Sequence, residues 1–170
     1  MTKQRLFLIY TLIIMLFSSL TSFAYAQQTD NLTSLLIDLN GWTAEPAQGM
    51  KVNMKDMKMI NAVREYQRGK ADVTATIMIG NSMMTRGQMQ PKNIETSRIK
   101  ALSMKINGFN LYTNYDKINK SGSVLVFIGK TAADQSIFIV SYKGLTEKGG
   151  LEFAKKFNWN KIRKATRKFL

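Results

Sequence analysis

Met57 to Gly80 reads MKMINAVREYQRGKADVTATIMIG, and the period of its apolar residues decides what the chain builds. Val73, Ala75, Ile77 and Ile79 recur at every second position, with Thr74, Thr76 and Met78 between them. That is the alternation of a half-buried strand and not the three-to-four spacing of a helix. The run before it, Met57 to Gln67, is also rich in strand-forming residues, and Arg68-Gly69-Lys70 separates the two. Two such runs around a short glycine-containing turn predict an antiparallel hairpin.

Three further strands are expected downstream: GFNLYTNYD (108–116), SVLVFIGK (123–130) and QSIFIVSYKG (135–144). The first alternates Phe109, Leu111, Thr113 and Tyr115 with more polar neighbours, whereas the other two are almost continuously apolar, as central strands are. Helices are expected in three places. Asp30 can cap one carrying Leu32, Leu35, Leu36 and Leu39, stopped by Asn40-Gly41. Pro91 opens a second over KNIETSRIKALSM (92–104), and Thr146 starts a third through Phe157. The stretch from Trp42 through the methionine-rich segment Gly49–Met59 reads as irregular, and NSMMTRGQMQP (81–91) as a loop. The fold expected is therefore α+β: an antiparallel sheet of about five strands with an N-terminal, a middle and a C-terminal helix packed on it.

The N-terminus carries Lys3 and Arg5, an apolar run from Leu6 to about Phe17, and Ala24-Tyr25-Ala26. A basic head, an apolar middle and small residues before a cleavage point are the marks of a signal peptide. Residues 1–26 are expected to be removed and 27–170 to form one α+β domain, in the periplasm or secreted. A retained membrane anchor is the competing reading of the same run. The chain has no cysteine, so its stability has to come from its core rather than from disulfides. Residues 27–170 hold 23 basic and 11 acidic side chains, a net charge of about +12. An anionic membrane surface, an anionic wall polymer or an envelope protein suits that excess. Nucleic acid has the right charge but is rarely met by an exported protein.

Histidine is absent as well. Ser-His-Asp triads, thiol nucleophiles and the usual zinc ligand sets are thereby excluded. Ser97 and Lys100 stand in an S-x-x-K spacing and Lys130-Thr131 is similar to the start of a K-T-G, but the S-D-N element of the serine β-lactamase pattern is missing and the domain is too small for that fold. The carboxylates are scattered, with no spacing that marks an acid–base pair. A non-enzymatic protein without a cofactor is expected.

Two stretches remain as candidate sites. GMKVNMKDMKM (49–59) holds Met50, Met54, Met57 and Met59, interleaved with Lys51, Lys55 and Lys58. Methionine fills irregular gaps and makes adaptable surfaces, but its thioether is also a soft ligand for Cu(I). A helix would align Met50, Met54 and Met57, a strand would align Met57 with Met59, and interleaved lysines would repel a cation in either. The C-terminus holds Lys155, Lys156, Lys161, Arg163, Lys164, Arg167 and Lys168, with no acidic residue after Glu152 and with Phe157, Trp159, Ile162 and Phe169 among them. Lys155, Lys156, Trp159, Lys161, Arg163, Lys164, Arg167 and Lys168 form the candidate anion-binding set. In the competing reading Trp159 and Ile162 pin the chain end to the core.

Gly41-Trp42, Glu45-Pro46, the methionine-rich patch and AVREYQRGKADVTATIMIG (62–80) resemble a group of small exported bacterial proteins of unknown function, in which a Gly-Trp opening and a proline precede an R-x-Y hairpin. The resemblance covers about Gly41 to Gly80 and implies no activity. The order of helices and strands is also similar in broad outline to photosystem extrinsic proteins of the PsbP-like kind, a likeness of architecture alone.

Overall fold

The computed structural model describes residues 29–54, 57–80, 93–129 and 136–169. Among the described residues nine strands form one antiparallel sheet: β1 (Thr43–Ala44), β2 (Gln48–Met54), β3 (Met57–Arg68), β4 (Ala71–Gly80), β5 (Ile94–Glu95), β6 (Ile99–Ile106), β7 (Phe109–Asp116), β8 (Ser121–Phe127) and β9 (Ser136–Lys143). Their order is β1-β3-β4-β9-β8-β7-β6-β5, with β2 also paired to β3. Helical segments are short: α1 (residues 29–33), α2 (Glu147–Lys155) and α3 (Trp159–Thr166), followed by a 3₁₀ turn, Arg167–Phe169.

The β3–β4 hairpin forms as its alternation predicts, from Arg68↔Ala71 to Met59↔Gly80, and Gly69 takes the positive φ (61°) its turn requires. Val73, Ala75, Ile77 and Ile79 are all buried. The strands expected around Phe109, Val124 and Phe138 are also present, and β9 and β8 lie centrally.

The expected α+β fold of about five strands with three packed helices is overturned: the chain is mostly β. The middle helix expected over 92–104 does not form in the described part, 93–104, because β5 and β6 run through it. The cause lies just beyond, where Asn107 (φ 50°) and Gly108 (φ 79°) both take left-handed conformations. That Asn-Gly turn matches the twist of two flanking strands and locks β6 onto β7 in the register Ile106↔Phe109. The stretch read as irregular from Trp42 supplies β1 and β2, whose residues pair along β3. Helix α1 ends at residue 33. Asp30 lies within it and not at its cap, although Leu32, Leu36 and Leu39 are buried as their spacing requires. The expected loop 81–91, the short connection 131–134 and the leader lie outside the described residues.

All helices lie on one face of the sheet. The core there is Ala62, Tyr66, Val73, Ala75, Ile77, Leu111, Val124, Val126, Phe138 and Val140 from the strands, met by Leu32 and Leu36 and by Phe153, Phe157, Trp159 and Ile162. Phe153 lies edge-on to Trp42 (4.8 Å) and to Tyr66 (5.3 Å), the arrangement aromatic quadrupoles favour. Arg64 and Tyr66, two residues apart on β3 and so on one face, hold the segment after α1. Arg64 donates to the carbonyls of Leu36 (2.6 Å) and Glu45 (2.8 Å) and pairs with Asp38. The Tyr66 hydroxyl donates to the Ile37 carbonyl (3.0 Å), and burial pushes its pKa up to about 12 despite the neighbouring Arg64.

Candidate functional site

The basic surface is set by two helix caps. The Thr146 hydroxyl accepts from the Gly149 amide (3.1 Å) and starts α2, as its position in the sequence predicts. The Asn158 side chain accepts from the Lys161 amide (3.0 Å) and starts α3. The break between them lets Phe157, Trp159 and Ile162 all reach the core. Trp159 is 5% exposed, donates from its indole to the Ala154 carbonyl (2.9 Å), and packs edge-on against Phe109. Arg163 also turns inward, donating to the Ile128 carbonyl (2.8 Å) with its guanidinium 3.8 Å from the Phe109 ring centre. Lys155 pairs with Glu152 (2.9 Å) at the surface. Lys156, Lys161, Lys164, Arg167 and Lys168 are exposed. Of the eight residues expected to meet an anion, the structure thus puts six at the surface and two, Trp159 and Arg163, into packing.

The opposite face of the sheet carries no helix among the described residues, and its character changes along the strands. Two rows at one end are polar: Gln67, Asp72, Lys143, Ser121, Asp116; and Glu65, Thr74, Ser141, Ser123, Asn114. Their small hydroxyl side chains leave a shallow depression of about 500 Å3, bounded by Asp72, Lys143 and Asp116. Sequence reasoning missed this feature; its only signal was serine and threonine at alternate positions of three separate strands. The two carboxylates do not converge, since β9 and β8 lie between them, a separation of about 14 Å between backbones at the usual strand spacing. Asp116 is also committed. It accepts from the amides of Asn119 (3.0 Å) and Ile118 (2.9 Å) and from Arg98 (3.1 Å), and the Asn119 amide above all holds its pKa at about 2. A carboxyl so held stays ionised and cannot act as a general acid.

Beyond the polar rows the same face turns apolar: Val63, Thr76, Ile139, Leu125 and Tyr112, then Met50, Asn61, Met78, Ile137 and Phe127. Met50 and Met59, two of the methionines singled out in the sequence, belong to this face. Met50 pairs with Asn61, Val52 with Met59, and Met54 with Met57. Met50 is 58% exposed and Met59 half-buried. The helical alignment of Met50, Met54 and Met57 is ruled out, because β2 runs through Met50 and Met54 and β3 begins at Met57. Lys51 and Lys58 alternate with the methionines, so their positions fall on the other face, at Lys51↔Ile60 and Asn53↔Lys58.

Ser97 lies in the turn between β5 and β6, while Lys100, on β6, pairs with Glu147 (2.8 Å), which raises its pKa. That pairing leaves no activated serine arrangement. Among the described residues no three carboxylates gather as a metal site, and no helix is long and apolar enough to cross a membrane. No family model matches the chain, and neither the curated proteins nor the solved structures contain a similar one.

Proposed function

We propose that the protein is an exported, non-enzymatic binding protein of the cell envelope, which meets an anionic envelope component or a protein partner through α2, α3 and the 3₁₀ turn. The observation that carries this reading is the sorting of side chains on these elements: Phe157, Trp159 and Ile162 point inward, while Lys156, Lys161, Lys164, Arg167 and Lys168 remain at the surface. No acidic residue follows Glu152 to offset them. Each base near an anionic surface contributes about 1 kcal/mol, and salt screens the attraction. Because the aromatic side chains are in the core, contact is by charge and not by insertion. The commitment of Asp116 to its turn and the distance to Asp72 support a role without acid–base chemistry.

Sedimentation of residues 27–170 with vesicles of anionic or neutral lipid tests the membrane form of this reading. Binding to anionic vesicles at low salt is expected to disappear at high salt, and to weaken strongly when Lys161, Lys164, Arg167 and Lys168 are all changed to glutamine. Equal binding to both vesicle types, or none to either, would end it.

A further inference from the structure

We infer that the depression at the polar end of the open face is a binding site for a neutral oligosaccharide, separate from the basic surface of α2 and α3. Thr74, Ser141, Ser123 and Asn114 stand side by side in one row, each on its own strand, β4, β9, β8 and β7. Neighbouring strands lie about 4.8 Å apart, so three hydroxyls and an amide repeat at that interval over about 14 Å. All four line the same depression of about 500 Å3, a volume usual for small-ligand sites.

The hydrogen-bonding capacity of this row is unspent. Among the described residues none of the four side chains has a hydrogen-bond partner, although each can both donate and accept. They are short and mounted on paired strands, so a ligand orders little when it binds. The charges around the row select what that ligand is. In the next row Lys143 lies between Asp72 and Asp116. An anion would meet the carboxylates and a cation the ammonium, and like charges brought together are costly. A ligand rich in hydroxyls suits both signs, because it donates to carboxylates and accepts from an ammonium. Ile99, in the lining opposite Asp116, and the half-buried Tyr112, two residues from Asn114 on the same face, offer apolar surface to the C–H faces of sugar rings. A site built to bond hydroxyls also rejects ligands that lack them, since its own polar groups are then left unpaired.

Amide NMR of the protein, titrated with cellotetraose, maltotetraose and tetra-N-acetylchitotetraose, tests the site. At least one of the three is expected to shift the amides of Thr74, Asn114, Ser123 and Ser141 while those of residues 161–168 stay in place. Affinity is expected to be equal at low and high salt, because an uncharged ligand is not held by the ion pairs that salt screens. Changing Ser123 and Ser141 together to alanine is expected to weaken binding about tenfold, the loss of two hydrogen bonds, while the midpoint of urea unfolding stays near that of the parent. Changing Lys161, Lys164, Arg167 and Lys168 to glutamine is expected to leave sugar binding intact. No shift with any of the three sugars, shifts confined to other residues, affinity lost at high salt, or undiminished binding by the double variant would overturn the assignment.

Discussion

The two faces of the sheet are made from the same strands, yet they are built to different ends. On the helix side, neighbours across the strands are Tyr66, Val73, Tyr142 in one row and Ala62, Ile77, Phe138, Val126, Leu111 in another, nearly all buried. One residue along, the opposite face reads Glu65, Thr74, Ser141, Ser123, Asn114 at one end and Met50, Asn61, Met78, Ile137 at the other. The first face is uniform and holds the molecule together. The second is graded from polar to apolar along the strands. The exposed basic cluster from Lys156 to Lys168 belongs to neither face of the sheet, since α2, α3 and the 3₁₀ turn carry it outside the core they close.

That contrast can be broken most forcefully at Phe153, where the helix-side core meets Trp42, Tyr66 and Phe157. Phe153→Ala is expected to cost about 3–5 kcal/mol in urea unfolding, through lost burial and an unfilled cavity. A sharper comparison uses consecutive residues of β9. Val140, fully buried, should lose about 2 kcal/mol on change to alanine, whereas Ser141→Ala on the open face should stay within about 0.5 kcal/mol. Similar losses at both positions would mean that the open face is covered after all. A pH-dependent comparison belongs to Asp116, at the polar end. Its pKa of about 2 lies below the ordinary 3.8, so its contribution to stability is fully present above about pH 4 and is lost as pH falls toward 2. Asp116→Asn should flatten that acid limb of the stability profile, and carbon-detected titration should place the wild-type carboxyl near 2.

How much of this was legible in the sequence depended on which strand was asked. The β3–β4 hairpin announced itself because Val73, Ala75, Ile77 and Ile79 alternate with polar residues and Gly69 marks the turn. Strand β6 did not, because its helix-side residues, Lys100, Leu102, Met104 and Ile106, alternate with Ala101, Ser103 and Lys105, a contrast too weak to exclude a helix near the edge of the sheet. Asn107-Gly108 carried the decisive signal and stood outside the window that the apolar spacing defined. In β2 the strand period was plain, with Met50, Val52 and Met54 alternating with Lys51 and Asn53, but methionine and lysine are not the residues in which strands are usually sought. The candidate surfaces followed the same rule. The terminal bases could be counted in the sequence, but the inward turn of Trp159 and Arg163 depends on the Asn158 cap and on the Ile128 carbonyl that β8 leads into.

The strand order carries a consequence for how the molecule assembles. β1 to β4 are close neighbours in sequence, and so are β5 to β9, so each group can form as a meander with short loops to close. They meet along a single seam, where β4 pairs with β9 from Asp72↔Lys143 to Ile79↔Ser136. β9 is the last strand among the described residues, so the sheet cannot be completed until Ser136–Lys143 is available. The late, long-range closure of that seam is the step expected to limit folding. Until it occurs, both the Ile77–Ile79 edge of one meander and the Phe138–Val140 edge of the other stand unpaired.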